Sequence, residues 1–204
     1  MQTVGMQETR KTTKTAQATA TKERLIGIAR AQFAERGYEA VSLDDILKKA
    51  NLTKGAIYHH FGDKKGLFRE VVTLVQSEVA AKARRVGQAQ TEPIEALLAV
   101  CRSFFSQLRK PDVMRIVCME AGVFLSWAEC AEIDDKHMLA VMREFVAASQ
   151  ASGGLASLDT EAITRVITGS IYQTVEWASH GRTPSRIAKG EEVVLSLVRA
   201  AAHA

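Results

Sequence analysis

Apolar residues recur at intervals of three and four along nearly the whole chain, and no stretch alternates with period two. This is the signature of amphipathic helices packed on one another, so the pattern predicts an all-α protein of about nine helices. The first periodic segment runs from about Lys22 to Arg36, with Leu25, Ile28, Ala29 and Phe33 on one face, and Gly37 offers the left-handed residue that ends it. Ser42 and Asp45 form a capping-box-like S-x-x-D ahead of Leu43, Ile46 and Leu47, and Asn51 suits the left-handed turn after Ala50. Thr53 is positioned as the cap of a short third helix. Asp63 is placed to cap a long fourth helix through Leu67, Val71, Leu74 and Val75 to about Gly87. So tight a connection between the second and third segments reads as helix-turn-helix.

The later segments are longer and more apolar. One spans Pro93 to Leu108, a short one follows Pro111, and a long one starts at the Ser126/Glu129 capping box and stops at Gly153 and Gly154. The last two run from about Asp159 to Ser179, closed by His180 and Gly181, and from Pro184, capped by Thr183, to Ala201. Residues 7–22, rich in Thr, Ala, Lys and Gln with no hydrophobic period, read as a mobile basic arm. The predicted organisation is an arm over 1–20, a helix-turn-helix domain over 21–68 and a larger helical domain over 69–204.

Charge sharpens this division. Residues 1–69 hold 13 Lys/Arg against 7 Asp/Glu, a net of +6, whereas residues 70–204 hold 14 against 16, a net of −2. A basic front module points to a polyanion, which composition alone leaves as nucleic acid or an anionic membrane surface. No apolar run reaches the length of a membrane span or a signal-peptide core, so a soluble, cytoplasmic protein with no membrane partner is expected. Three cysteines, Cys101, Cys118 and Cys130, lack CxxC spacing, and adjacent His59 and His60 diverge by about 100° on a helix. Neither a disulfide framework nor a metal site is expected, and no cofactor is implied.

The stretch TKGAIYHHFGDKKGLF, residues 53–68, carries the chemistry. Ile57 and Phe61 can anchor its helix inward, leaving Lys54, Gly55, Tyr58 and His59 outward. Glycine within a helix costs about 1 kcal/mol relative to alanine, so its presence implies that a side chain there would obstruct a close approach. Lysine in a first helical turn opposes the helix dipole unless phosphates compensate it, and Lys54 and Lys64 both take that position. Tyr58, His59 and His60 add donors for phosphates or base edges, although His60 can instead pack beside Phe61.

These pieces, F-A-E-R-G-Y, S-L-D-D-I, T-K-G-A-I-Y-H-H-F and D-K-K-G-L-F at their spacings over roughly residues 21 to 72, resemble the amino-terminal pattern of the tetracycline-repressor (TetR) family of bacterial regulators. The resemblance implies that Thr53, Lys54, Gly55, Tyr58, His59, His60 and Lys64 contact DNA. It also implies that Ser42 meets a phosphate and that Ala56 faces the bases. Asn51-Leu52 departs from the family's commoner glycine-valine, a change asparagine tolerates. A homodimer on a double-stranded operator, released by a small-molecule effector, is the implied function.

In the larger domain, Phe105, Met119, Phe124, Trp127, Met142 and Tyr172 are candidates to line an effector cavity, with Arg115 and Glu176 to orient the ligand. Each is also a candidate for core packing or inter-helix ion pairs. Ile163, Ile167 and Ile171, with Val194, Leu197 and Val198, form two stripes that serve either a dimer interface or the subunit's own core. His137 is expected to be solvated, and Cys118 to be a packed hydrophobe. The rival reading is an enzymatic or ligand-binding helical protein with incidental DNA affinity; no GxSxG, Walker A or HExxH motif supports it.

Overall fold

A computed structural model describes the backbone of residues 3–179 and 184–202, with the side chains of residues 16–179 and 185–202. His180, Gly181 and Thr183, expected to punctuate the last two helices, lie outside the described residues. Among those described the chain is helical with no strands: α1 Thr3–Arg36, α2 Leu43–Ala50, α3 Lys54–Phe61, α4 Lys64–Gln88, α5 Pro93–Leu108 and α6 Pro111–Val113 come first. A π-helical segment, π1 Met114–Glu120, follows, then α7 Ala121–Phe124, α8 Trp127–Lys136, α9 Met138–Ala151, α10 Thr160–Ser179 and α11 Pro184–Ala200. No helix among the described residues is long and apolar enough to cross a membrane. The chain divides into two compact units, Met1–Val71 and Val72–Ala204.

In the first unit, Leu25, Ala29, Phe33, Ile46, Ala50, Ile57, Leu67 and Phe68 are fully buried. Phe33, Tyr38 and Phe68 pack against one another at 4.9–5.7 Å between ring centroids, Phe33 stacked on Tyr38 and edge-on to Phe68. Gly37 ends α1 at φ +82°, as its place in the pattern predicts, and Asn51 ends α2 at φ 50°, ψ 49°. The first helix differs from expectation: its backbone is helical from Thr3 rather than from about Lys22, through the stretch read as an arm. Alanine, lysine and glutamine are good helix formers, but residues 16–20 are exposed, so no hydrophobic stripe announces the helix in the sequence.

In the second unit α5 is the central helix. Leu97, Leu98, Val100, Cys101, Phe104, Phe105 and Leu108 are all fully buried, and α9, α10 and α11 pack around it. Two predicted elements are subdivided. The long helix expected from Ser126 breaks at His137 (φ −120°, ψ −83°), whose N–H bonds back to the carbonyls of Ile133 and Asp134 at 3.2 Å. Neither proline nor glycine marks the break, so the apolar period runs through it unsignalled. His137 is half-buried rather than solvated, and burial lowers its imidazole pKa. The segment after Pro111 becomes α6, π1 and α7 in succession.

Candidate nucleic-acid interface

The helix-turn-helix is built from the caps upward. The Ser42 hydroxyl accepts from the Asp45 N–H at 3.1 Å, and the Asp45 carboxylate accepts from the Ser42 N–H at 3.4 Å, a reciprocal capping box. Asp45 also takes the Arg36 guanidinium at 3.1 Å, while the second Arg36 nitrogen donates to the Ala40 carbonyl at 2.6 Å. The Ser42 hydroxyl, then Arg36, hold the Asp45 carboxyl below the ordinary carboxylate range. Ser42 is exposed at the start of α2, so a phosphate meeting it there would share a hydroxyl already engaged in this cap.

Asn51 turns the chain, and α3 begins one residue after Thr53. Thr53 occupies the cap position (φ −89°, ψ 160°) without making a side-chain cap bond, which differs from its expected role. Of the residues in α3 only Ile57 is buried, at 0 % exposure; Thr53, Lys54, Gly55, Tyr58 and His59 are exposed, and Ala56 and His60 are half-buried. The exposed set shares the outer face that the spacing predicts. Tyr58 is 60 % exposed, so its ring is not part of the unit's core.

Two glycines of the motif differ in kind. At Gly55 an added Cβ would meet only Thr53 Oγ1, at 3.9 Å, an ordinary contact. At Gly66 a Cβ would run into the carbonyl of Phe61, so the chain itself requires glycine there. Gly66 was not among the predicted residues; its N–H bond to Asp63 Oδ1, at 2.7 Å, makes the cap of α4 that the aspartate does signal. Nothing inside the unit explains Gly55.

The lysines are placed less simply than the sequence implies. Lys54 Nζ lies 3.1 Å from Asp44 Oδ1 across the turn, an exposed pair worth about 0–1 kcal/mol. Lys64 folds back, its ammonium 4.3 Å from the centroid of the Tyr38 ring and 3.4 Å from the Glu39 carbonyl. His59 and His60 rings meet edge-on at 5.0 Å, and His60 lies 5.9 Å from Phe61. Partial burial, then the neighbouring His59, lowers the His60 pKa. No group of His, Cys, Asp or Glu able to hold a metal occurs among the described residues.

The predicted ligand residues of the second unit differ in exposure. Phe105 and Met142 are fully buried core, Arg115 and Phe124 are half-buried, and Met119, Trp127 and Glu176 are exposed. Trp127 and Tyr172 do share a concavity, with Cys130, Asp134, Leu139, Arg165 and Thr168. Asp134 was missed by sequence reasoning, although its position four residues before Met138 sets an acid on the apolar period. Burial pushes the Cys101 and Cys118 thiols up to about 12, which suits packed hydrophobes. Of the two stripes, Ile167, Ile171, Val194 and Val198 are buried within the unit itself, Ile163 is half-buried and Leu197 is 63 % exposed. The outward apolar residues are instead Val166 and Trp177 on α10 and Val193 and Leu197 on α11.

A short, outward-facing helix set by a three-residue turn on a capped partner defines a helix-turn-helix DNA-binding unit, here joined in one chain to an all-helical second unit. The chain belongs to the TetR family of DNA-binding transcriptional regulators. The sequence model described as "Bacterial regulatory proteins, tetR family" matches residues 25–71, and that described as "Tetracyclin repressor-like, C-terminal domain" matches residues 94–201. The chain is 26 % identical over 153 residues to the transposon Tn10 TetC protein of Escherichia coli, covering 73 % of this chain and 75 % of that one. It is 34 % identical over 113 residues to the HTH-type transcriptional regulator AcrR of Shigella flexneri, about half of each chain (53 % and 52 %). A TetR-family regulator of Pectobacterium atrosepticum superposes with TM-score 0.79 at 29 % identity, covering 92 % of this chain and 96 % of the other. RolR in complex with resorcinol shares the fold, with TM-score 0.71 at 19 % identity over 90 % of each.

Proposed function

We propose that this chain is a homodimeric, cytoplasmic repressor that holds a two-fold-related operator through paired α3 helices and releases it when a small molecule enters the second unit. The observation that supports the DNA face is the combination at Gly55: exposed, with room for a side chain that would meet only Thr53 Oγ1 in an ordinary contact, in a position where glycine weakens the helix. A duplex backbone pressed against α3 is a reason for that choice. Thr53, Lys54, Tyr58, His59 and the helix amides then fix register on phosphates, with Ser42 at the neighbouring helix, while Ala56 and its neighbours meet bases in the major groove.

A single α3 offers too few contacts to specify an operator, so two copies are required. Leu197 with Val166, Val193 and Trp177 supplies the outward apolar face for that pairing. α4 is one continuous helix from Lys64 to Gln88, so a ligand that displaces its later turns moves its first turn as well. A coupling of about 1–3 kcal/mol suffices for release. RolR, of the same fold, was solved with resorcinol bound, which supports the effector reading.

The experiment is selection of bound fragments from the native genome at about 150 mM salt, where incidental electrostatic binding fades. The expected product is one enriched sequence with two-fold-related half-sites, bound by two copies of the chain. Fragments without a shared sequence, bound only at low salt, would refute the reading.

A further inference from the structure

We propose that the concavity floored by Asp134 is the effector seat, and that it takes a compact amine in its protonated form. This rests on the ligand-released reading above and adds the place and the chemistry. Asp134 Oδ1 accepts from Gln76 Nε2 at 2.7 Å and from the Tyr172 hydroxyl at 3.1 Å, whereas Oδ2 has no hydrogen-bond partner among the described residues. Two further polar atoms are orphaned here. Thr168 Oγ1, on a side chain 4 % exposed at the concavity wall, and Gln76 Oε1, also 4 % exposed, make no hydrogen bond. A buried polar atom without a partner is costly, and two are in that state, Thr168 Oγ1 in the concavity wall and Gln76 Oε1 on the residue bonded to Asp134.

The charges beside the opening select the sign of the ligand. Arg165 reaches Asp135 at 3.1 Å and Glu161 at 2.6 Å, and Arg143 reaches the same two acids at 3.6 and 2.7 Å. Both guanidiniums are thus shared between Asp135 and Glu161, and Asp134 is left without an ion pair among the described residues. Burial raises its pKa, the mark of a carboxylate poorly compensated where it stands. An ammonium group supplies the missing charge and carries enough N–H donors for both Asp134 Oδ2 and Thr168 Oγ1. An anionic ligand would face the Asp134 carboxylate, with which Arg165 of the same lining makes no ion pair because it is engaged by Asp135 and Glu161.

Shape narrows the class further. The concavity holds about 210 Å³, below the roughly 300–1,000 Å³ of sites for drug-sized ligands. Leu139, Ala131 and Gly169 make an apolar wall for the ligand body, and Trp127 stands on the rim, 89 % exposed, its ring open to a cation. Gln76 is the link to release: it sits on α4, and its amide bonds the same carboxylate that the ammonium would claim.

The test uses the full chain at pH 7.5 and three probes with one body and different heads: 2-phenylethylamine, 2-phenylethanol and phenylacetate, titrated calorimetrically. The amine should bind about tenfold or more tighter than the alcohol, the increment of a charge-assisted hydrogen bond, and phenylacetate weakest. Asp134→Asn should remove the amine's advantage over the alcohol. Trp127→Ala, at a surface position where folding is not at risk, should weaken the amine about threefold. Equal or stronger binding of the alcohol or the acid, no binding of the amine at millimolar concentration, or an amine preference that survives Asp134→Asn would overturn the proposal. A parallel titration of the operator complex separates the two claims. Amine bound at Asp134 without operator release would leave the seat standing and reject its effector role; release by the amine undiminished in Asp134→Asn would reject the seat and leave the ligand-released reading intact.

Discussion

Gly55 and Gly66 stand eleven residues apart in one motif and are glycine for opposite reasons. At Gly66 the Phe61 carbonyl fills the space a Cβ needs, so Gly66→Ala should destabilise the first unit by about 1–3 kcal/mol, read by chemical denaturation. Tyr58 shows the complementary behaviour expected of an outward residue. With 60 % of the side chain exposed, Tyr58→Phe should leave the melting temperature unchanged while weakening operator binding about fivefold, the worth of one hydrogen bond in a gel-shift titration. A matching fall in melting temperature would make its hydroxyl structural. Residue identity alone suggested the outward role of Gly55 and Tyr58, because both depend on local helical spacing. It gave no hint about Gly66, whose reason lies in the backbone of the preceding helix end.

At the scale of elements, caps were legible and directions were not. Ser42 with Asp45, and Ser126 with Glu129, form the reciprocal boxes their spacing announces. Because Asp45 titrates below the ordinary carboxylate range in the folded chain, its contribution is complete above that range and is lost as pH falls through its folded pKa. Ser42→Ala removes the N-cap hydroxyl and for that reason should cost about 0.5–2 kcal/mol at neutral pH; the gap to the parent should narrow in acid, measured by denaturation across pH. The lysines divide likewise. Lys54→Ala should preserve stability and reduce the slope of log affinity against log salt by about 0.9. Lys64→Ala should in addition lower stability by about 0.5–1 kcal/mol, since its ammonium lies over the Tyr38 ring. That difference is invisible in the sequence, where both lysines open a helix; only the packing of Tyr38 against Phe33 and Phe68 creates the second partner.

For the whole molecule, the all-helical class follows from periodicity, whereas the second unit shows where that signal ends. A stripe of Ile167, Ile171, Val194 and Val198 looks the same in sequence whether it meets a partner or its own neighbours, and in the structure it meets its own. The break at His137 and the π-helical turns of π1 carry no proline or glycine signal, and the Gln76–Asp134 bond joins residues 58 positions apart. The outward face of α3 is legible because local helical spacing alone defines it. The most direct measurement on that face is Gly55→Leu, assayed in parallel for unfolding free energy and operator affinity. With open space at Gly55 and leucine a good helix former, unfolding free energy should change by less than about 1 kcal/mol, while operator affinity should fall about a hundredfold or more as the side chain holds the duplex away from α3. Operator affinity within about threefold of the parent, with folding intact, would contradict the account.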